Sequence, residues 1–139
     1  MSLYLPTAFA LARSGRVGTV VLGAFQVSQQ GNLTNWNVPA TGVGGIGGAM
    51  DLAAGAARII VVMFHLTRDG IPKLVERCSC PLTAVRFVRT VVTDLALVDV
   101  EPDGFLLRDV APGVSVGDVP SGHRGAAARG AALHQMAFE

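Results

Sequence analysis

The sequence predicts an α/β domain built on an open, mostly parallel sheet with flanking helices and a C-terminal β-hairpin. Two apolar runs, at 17–25 and 56–64, resemble strands that are buried on both faces, which is typical of parallel sheets. A glycine-rich loop and a segment of helical character separate them, in the order of a right-handed βαβ crossover. A chain of 139 residues is expected to form one hydrophobic core.

The remaining patterns place the other elements in chain order. Up to the second run, the sequence predicts a helix at 6–14 that Gly15 ends, a strand at 17–25, a long loop at 26–45, a helix at 48–57 and a strand at 58–64. A β-rich run follows at 86–92, and strands at 95–100 and 105–110 flank a turn at 101–104. We expect one domain over 1–119 and an irregular or disordered tail over 120–139.

The segment from Gly42 to Gly48 is the strongest functional signal, since five of its seven residues are glycine and a predicted helix follows. Without a Cβ, the backbone lets a ligand lie against peptide N–H groups, and a helix start adds unpaired donors. These features predict a site for a phosphate or for a reaction oxyanion. Gly42, Gly44 and Gly47 also fit the dinucleotide pattern, but a loop precedes them and the next acidic residue, Asp69, comes late, so NAD binding is the weaker alternative.

Composition excludes several classes of protein. A net charge of +1 gives no electrostatic basis for binding nucleic acid, and no apolar run approaches the roughly eighteen residues of a membrane span. Cys78 and Cys80 have too few histidines near them to predict a metal site, and they suit a reducing cytoplasm. A mean hydropathy of +0.47 indicates surface that a partner or further chain covers.

An ordered series of motifs carries a resemblance to a known family. The motifs are VVLGAFQVS at 20–28, GNLTNW at 31–36, GIGGAMDL at 45–52, M-x-H at 63–65, K-x-V-E-x-C at 73–78, PLT at 81–83 and the strand at 94–100. Together they resemble the β subunit of family I coenzyme A transferases, of the succinyl-CoA:3-oxoacid and 3-oxoadipate type. The resemblance extends over about residues 9–119.

The resemblance implies a covalent mechanism. In that family a glutamate attacks an acyl-CoA to give a mixed anhydride, CoA thiolate then forms a glutamyl-CoA thioester, and an acceptor acid completes the exchange. That glutamate lies in a Ser-Glu-Asn-Gly-like motif upstream of the first strand, whereas residues 1–50 contain no Asp or Glu. We therefore expect this chain to correspond to the C-terminal portion of a β subunit, without the nucleophile and inactive alone.

The resemblance also implies the binding residues and partners. Backbone N–H groups of Gly48 and neighbouring Gly47 would donate to the oxyanion. Coenzyme A, a substrate rather than a permanently bound cofactor, would contact Gly45, Gly47, Gly48, Ala49, Asn32 and Gln26. The implied partners are a CoA-transferase α subunit, an acyl-CoA and a 3-oxo acid in the cytoplasm, and an exposed sheet edge favours an oligomer. A non-catalytic CoA-binding or subunit-interaction remnant is the alternative.

Other polar residues have weaker interpretations. His65 ends a predicted strand, and a hydrogen-bonded structural role is favoured over a general base because Phe64 stands where the resembled family usually has an acid. Asn35 and Trp36 are expected to organise their loop. Lys73 could be ordinary solvated charge or could contact a CoA phosphate. Arg68, like Lys73, is interpreted either as ordinary solvated charge or as a contact for a CoA phosphate, and Asp51 is expected to cap a helix. Cys78 is expected to be a small core residue, and His123 and His134 are expected to be exposed and without a functional role.

Overall fold

The computed structural model describes residues 14–16, 18–35, 55–120 and 134–135. Within those ranges the chain forms nine strands and a short 3₁₀ helix. The strands are β1 Thr19–Leu22, β2 Gln26–Ser28, β3 Leu33–Thr34, β4 Arg58–Val62, β5 Leu74–Val75, β6 Val88–Val92, β7 Ala96–Glu101, β8 Gly104–Val110 and β9 His134–Gln135, and the 3₁₀ helix is Val116–Asp118. Most of the predicted helix at 6–14 and most of that at 48–57 lie outside the described residues; of those described, Ser14 is in a turn and Gly55 is helical.

The larger sheet has the strand order β1-β4-β6-β7-β8-β9. Strands β1, β4 and β6 run parallel to one another, and Thr19 pairs with Arg58 at the start of the first two. Strands β6, β7 and β8 are antiparallel neighbours, and β7 and β8 form a tight hairpin in which Glu101 pairs with Gly104. The structure therefore confirms the open, mostly parallel sheet and the hairpin near the C-terminus.

Burial of the two apolar runs differs from the prediction. In β4, Ile59 and Val61 are buried whereas Arg58 and Val62 are exposed, and in β1 the side chain of Val21 is 62% exposed. Only one face of each strand packs on the core formed by the described residues, so the expectation of burial on both faces is wrong for that part of the chain. An apolar run shows that a strand can be buried on both faces. Whether the second face is in fact covered depends on elements elsewhere in the sequence.

The predicted long loop at 26–45 is wrong in its first half, because β2 and β3 lie there. They form a second, smaller sheet in the order β3-β2-β5, in which β2 is antiparallel to β3 and parallel to β5. Val27, Leu33 and Leu74 of this sheet are buried in the same apolar cluster as Ile59, Val61, Val88 and Val91 of the larger one. The two sheets thus share a single core.

Two further observations concern the ends of the described chain. Strand β9 pairs in parallel with β8, where Asp109 is opposite His134 and Val110 is opposite Gln135, and it lies in the segment for which the sequence predicts no element. The division into 1–119 and 120–139 stays a prediction.

Across the described ranges, no helix is long and apolar enough to cross a membrane, and no three His, Cys, Asp or Glu side chains are grouped to hold a metal ion.

The turn between β2 and β3 depends on a glycine. Gly31 has a φ of +79°, and a Cβ built on it would lie 2.7 Å from the carbonyl oxygen of Val88. The amide of Val88 donates to the carbonyl oxygen of Gly31 at 3.1 Å. The turn therefore sits directly on the start of β6 and leaves no room for a side chain.

We expect Gly31→Ala to lower the free energy of unfolding by about 3 kcal/mol, because the left-handed conformation and the backbone clash both act against it. Gly70→Ala is the matched control: Gly70 has a φ of +80° with no atom near its Cβ position, so only the conformational cost, about 1 kcal/mol, applies. Urea denaturation of both variants measures the difference. Equal losses would show that the contact with Val88 is unimportant.

Candidate functional site

A cleft of about 480 Å³ lies where the three parallel strands end. Its walls come from the residues that follow β1, β4 and β6, together with the last residues of β4 and β6 and one residue of the loop before β5. The lining residues are Gly23, Ala24, Val62, Met63, Phe64, Lys73, Val92, Thr93 and Asp94. Ligands of open α/β sheets bind at the carboxyl ends of the strands, so this cleft is the candidate site.

The described walls of the cleft are mostly apolar, with polar groups at one side. Ala24, Val62, Met63 and Val92 present carbon surface, and Phe64, which is 72% exposed, lies at the rim. Thr93, Asp94 and Lys73 supply the polar groups among the lining residues. An apolar cavity with a few fixed polar groups is the usual composition of a small-molecule site.

Lys73 is the one cation among the described residues that line the cleft. Its amide donates to the carbonyl oxygen of His65 at 2.9 Å, which fixes the loop before β5 against the end of β4. Burial lowers the pKa of the Lys73 ammonium, and the nearby Asp94 carboxylate partly opposes that shift. In the described part of the chain the ion pairs join Arg108 to Asp99 and Glu101, so no described carboxylate pairs with Lys73.

Asp94 secures the end of β4. Its Oδ1 accepts a hydrogen bond from the amide of His65 at 2.8 Å. The hydroxyl of Thr93 accepts from the amides of Leu95 and Ala96 at 3.2 and 3.0 Å, which shapes the turn from β6 into β7. These bonds hold the ends of two neighbouring parallel strands in fixed positions beside the cleft.

His65 has a structural role, which confirms the interpretation of the sequence. Its side chain is 1% exposed, Nδ1 lies 3.0 Å from Oγ1 of Thr93, and Nε2 lies 3.2 Å from the carbonyl oxygen of Pro120. Because a carbonyl oxygen only accepts, Nε2 donates to Pro120, while Nδ1 lies within hydrogen-bond distance of the Thr93 hydroxyl, which also donates to the carbonyl oxygen of Ala96 at 3.2 Å. With both nitrogens engaged, His65 connects the end of β4 to Pro120.

Gln26 and Asn32 lie away from the cleft. Gln26, predicted to begin the long loop at 26–45, instead begins β2, and its Oε1 accepts from the amide of Ser79 at 2.8 Å. Asn32 accepts at Oδ1 from the amide of Arg86 at 3.0 Å, which stabilises that residue at a φ of +59°. Both carboxamides lock loops in the described structure, and their role in binding CoA stays a prediction.

The glycine segment falls outside the described residues. Gly45, Gly47, Gly48 and Ala49 all belong to it, and their predicted roles are carried forward as proposals. Trp36, Asp51 and His123 also lie outside the described ranges, whereas His134 is described only as backbone in β9. Asn35 is described, and its Oδ1 accepts from the hydroxyl of Thr83 at 2.8 Å, as expected for a residue that organises its loop.

Sequence reasoning missed the cleft side chains Thr93 and Asp94 and left Lys73 undecided. The sequence contains a signal for Thr93 and Asp94, because they directly follow the apolar run of β6. That position places them at the carboxyl edge of the sheet. Lys73 had no such signal. It lies eight positions beyond His65 in sequence and reaches the cleft only because the loop folds back.

Comparison with known proteins agrees with this architecture, and residues 6–121 match the coenzyme A transferase family. The chain is 44% identical over 111 residues to the beta subunit of a probable coenzyme A transferase of Bacillus subtilis, covering 80% of this chain and 51% of that one. It is 46% identical over 103 residues to a 3-oxoadipate CoA-transferase subunit of Pseudomonas putida, covering 73% and 48%. The chain belongs to the coenzyme A transferase family, and it spans about half the length of these curated relatives.

Solved structures show the same fold. The acyl-CoA transferase YdiF of Escherichia coli O157:H7 superposes with a TM-score of 0.70 at 21% identity, over 84% of this chain and 27% of that one. The decarboxylase AibA/AibB superposes with a TM-score of 0.62 at 24% identity, over 84% and 49%. Because those two proteins carry different activities by name, the fold alone does not select the reaction.

We expect Asp94→Ala to lower the free energy of unfolding by about 1–3 kcal/mol, since the amide of His65 loses its acceptor at a partly buried position. Asp94→Asn keeps a carbonyl oxygen in place and should lose less than half as much. Urea denaturation at neutral pH measures both variants. Equal losses would show that the carboxylate charge matters rather than the hydrogen bond.

A second prediction concerns Cys78, whose Sγ donates to the carbonyl oxygen of Asn32 at 3.7 Å. Burial, and secondarily the neighbouring Cys80, raise the pKa of the Cys78 thiol to about 11. The unfolded chain loses this proton near pH 8.5, so between that pH and about 11 the folded state binds more protons and the free energy of unfolding falls as pH rises.

Urea titrations at pH 8 and pH 10.5 test this for the wild type and for Cys78→Ala, both under reducing conditions. The wild type should lose more stability between the two pH values than the variant does. Comparison of the two slopes removes the contributions of the other groups that titrate in this range. Identical slopes would contradict the raised pKa.

Proposed function

We propose that this chain is a component of a coenzyme A transferase that moves CoA between succinyl-CoA and a 3-oxo acid such as acetoacetate. The observation that carries the proposal is the match of residues 6–121 to the family. The names of two relatives, the 3-oxoadipate CoA-transferase of Pseudomonas putida and the mitochondrial succinyl-CoA:3-ketoacid coenzyme A transferase 2 of Homo sapiens, favour 3-oxo acids. The cleft at the carboxyl edge of the sheet supplies a site of suitable size and composition.

In this proposal the chemistry passes through a glutamyl-CoA thioester on a glutamate that residues 1–50 do not supply. Each acyl transfer develops negative charge on the carbonyl oxygen of the thioester. The backbone N–H of Gly48, with Gly47 beside it, donates to that oxyanion, and Gly45, Ala49, Asn32 and Gln26 contact coenzyme A. A donor of this kind contributes about 3 kcal/mol to transition-state stabilisation.

The proposal includes an α subunit as partner. Several relatives, about half of whose length this chain covers, are named as beta subunits, so their names imply a second chain. Exposed apolar side chains on the described surface, among them Val21, Ile71 and Val85, are consistent with a chain that packs against further protein. The partner and the assembly in the cytoplasm are parts of the proposal.

The function is tested with the chain assembled with an α subunit and a glutamate-bearing segment. Transfer from succinyl-CoA to acetoacetate is followed through acetoacetyl-CoA, and borohydride trapping with mass spectrometry detects the enzyme thioester. We expect Gly48→Val to lower turnover about 100-fold with little change in folding, because the side chain displaces the thioester from its donor. Absence of transfer by the wild-type assembly would refute the proposed function.

Gly18→Val is the matched control. Gly18 lies just before β1, its φ is not positive, and no atom lies within 4 Å of its Cβ position. The substitution adds the same side chain at the amino end of β1, whereas the cleft lies at the carboxyl end, so turnover should be unchanged. If Gly48→Val also leaves turnover unchanged, Gly48 does not belong to the site.

A second candidate is a non-catalytic CoA-binding or subunit-interaction remnant, favoured by the lack of acidic residues in positions 1–50. Incubation with acetoacetyl-CoA and borohydride, first of the chain by itself and then after addition of the α subunit and the glutamate-bearing segment, distinguishes the two candidates. The transferase proposal expects no trapped adduct until the glutamate-bearing segment is added. The remnant expects CoA binding by calorimetry and no adduct even after that addition.

A further inference from the structure

Lys73 is the only lysine in the sequence, and it lines the cleft at the carboxyl edge of the parallel strands. The side chain is half-buried, and no described carboxylate lies within ion-pair distance of its ammonium. Partial removal of a cation from water costs free energy, and the nearby Asp94 carboxylate offsets only part of that cost. The position of this charge in a ligand-sized cleft therefore points to an anionic group on the ligand.

The charge of the cleft matches a single carboxylate better than the phosphates of coenzyme A. Lys73 is the one cation among the described lining residues, whereas a diphosphate with a further phosphate group carries several negative charges. The carboxylate of Asp94 also lines the cleft, and because its repulsion grows with the charge of the ligand, it opposes a diphosphate more than a single carboxylate. Its hydrogen bond from the amide of His65 holds it at the strand end.

The apolar lining indicates what joins that carboxylate to the rest of the ligand. Ala24, Val62, Met63 and Val92 offer carbon surface suited to a short methylene chain. A cavity of about 480 Å³ has room for a four-carbon acyl group. Among the CoA thioesters of the proposed reaction, a short dicarboxylic acyl thioester has these features, because one carboxyl is linked to CoA and the other is free.

We propose that Lys73 binds the free carboxylate of a short dicarboxylic acyl group, such as the succinyl group of succinyl-CoA, and so selects dicarboxylic over monocarboxylic CoA thioesters. The inference rests on the proposed transferase function and assigns a specificity-determining residue within it. Lys73 makes no bond to the reacting atoms in this proposal. Burial lowers the pKa of the Lys73 ammonium, and the nearby Asp94 carboxylate, like a bound substrate carboxylate, opposes that shift.

The test compares succinyl-CoA with butyryl-CoA as donors for Lys73→Met in the assembled enzyme. The two donors have the same chain length and differ in the free carboxylate. A lost charge-assisted hydrogen bond should lower kcat/KM for succinyl-CoA by about 10- to 100-fold, mainly through KM, and leave butyryl-CoA unchanged. Lys73→Arg keeps the charge and should recover part of the loss.

Arg68→Met is the control for loss of a positive charge. Arg68 is exposed in the turn that precedes Lys73 and is not among the lining residues, so kinetics with both donors should be unchanged. If Lys73→Met lowers kcat/KM for both donors equally, the residue serves a part common to all CoA thioesters, such as a phosphate, and the inference is overturned. No change with either donor overturns it as well.

A second readout does not depend on turnover. Amine methylation of the wild-type assembly, followed by peptide mass mapping, reports the ε-amine of Lys73 without interference from other lysines of this chain. Succinate should slow labelling of Lys73, and butyrate at the same concentration should not. Equal labelling with both acids overturns the inference, whereas protection by succinate in an assembly without transfer supports it and refutes only the proposed reaction.

Discussion

The parallel pairing of β1, β4 and β6 is the constraint from which the candidate site follows. Hydrogen bonding in register brings the residues after Leu22, Val62 and Val92 to one edge, although they are far apart in sequence. Each strand buries alternate side chains in the core shared with the smaller sheet, so the edge cannot shift without exposing Ile59 or Val61. The cleft is thus a consequence of core packing.

Side-chain bonds at the strand ends turn this edge into a fixed surface. Asp94 accepts from the amide of His65, and the ring of His65 contacts Thr93 and Pro120. The result is a buried polar connection between two strand ends and the segment that follows β8. Fully hydrogen-bonded polar groups of this kind favour one arrangement, because breaking any contact leaves a buried donor or acceptor unpaired. Lys73 enters the cleft from a loop that the same His65 anchors through its carbonyl oxygen.

The smaller sheet explains why Gln26 and Asn32, whose carboxamides could bind a ligand, lie away from the cleft. Gln26 and Asn32 follow the first strand closely in sequence, yet β2 pairs with β5 and carries them away from the cleft. Their carboxamides bind Ser79 and the amide of Arg86, contacts between residues more than fifty positions apart. The sheet therefore uses these amides to join distant loops, a structural function that their residue type alone does not reveal.

The sequence by itself determined the mostly parallel character of the larger sheet, the β7–β8 hairpin, the family and the structural role of His65. These depend on local patterns: apolar runs, a Pro-Asp turn between two strands, an ordered series of motifs and a position at a strand end. Only the tertiary structure decided the second sheet, the single buried face of β1 and β4, and the presence of Lys73 in the cleft. Each of these depends on contacts between segments distant in the chain, such as Val27 with Leu74, which no local pattern encodes.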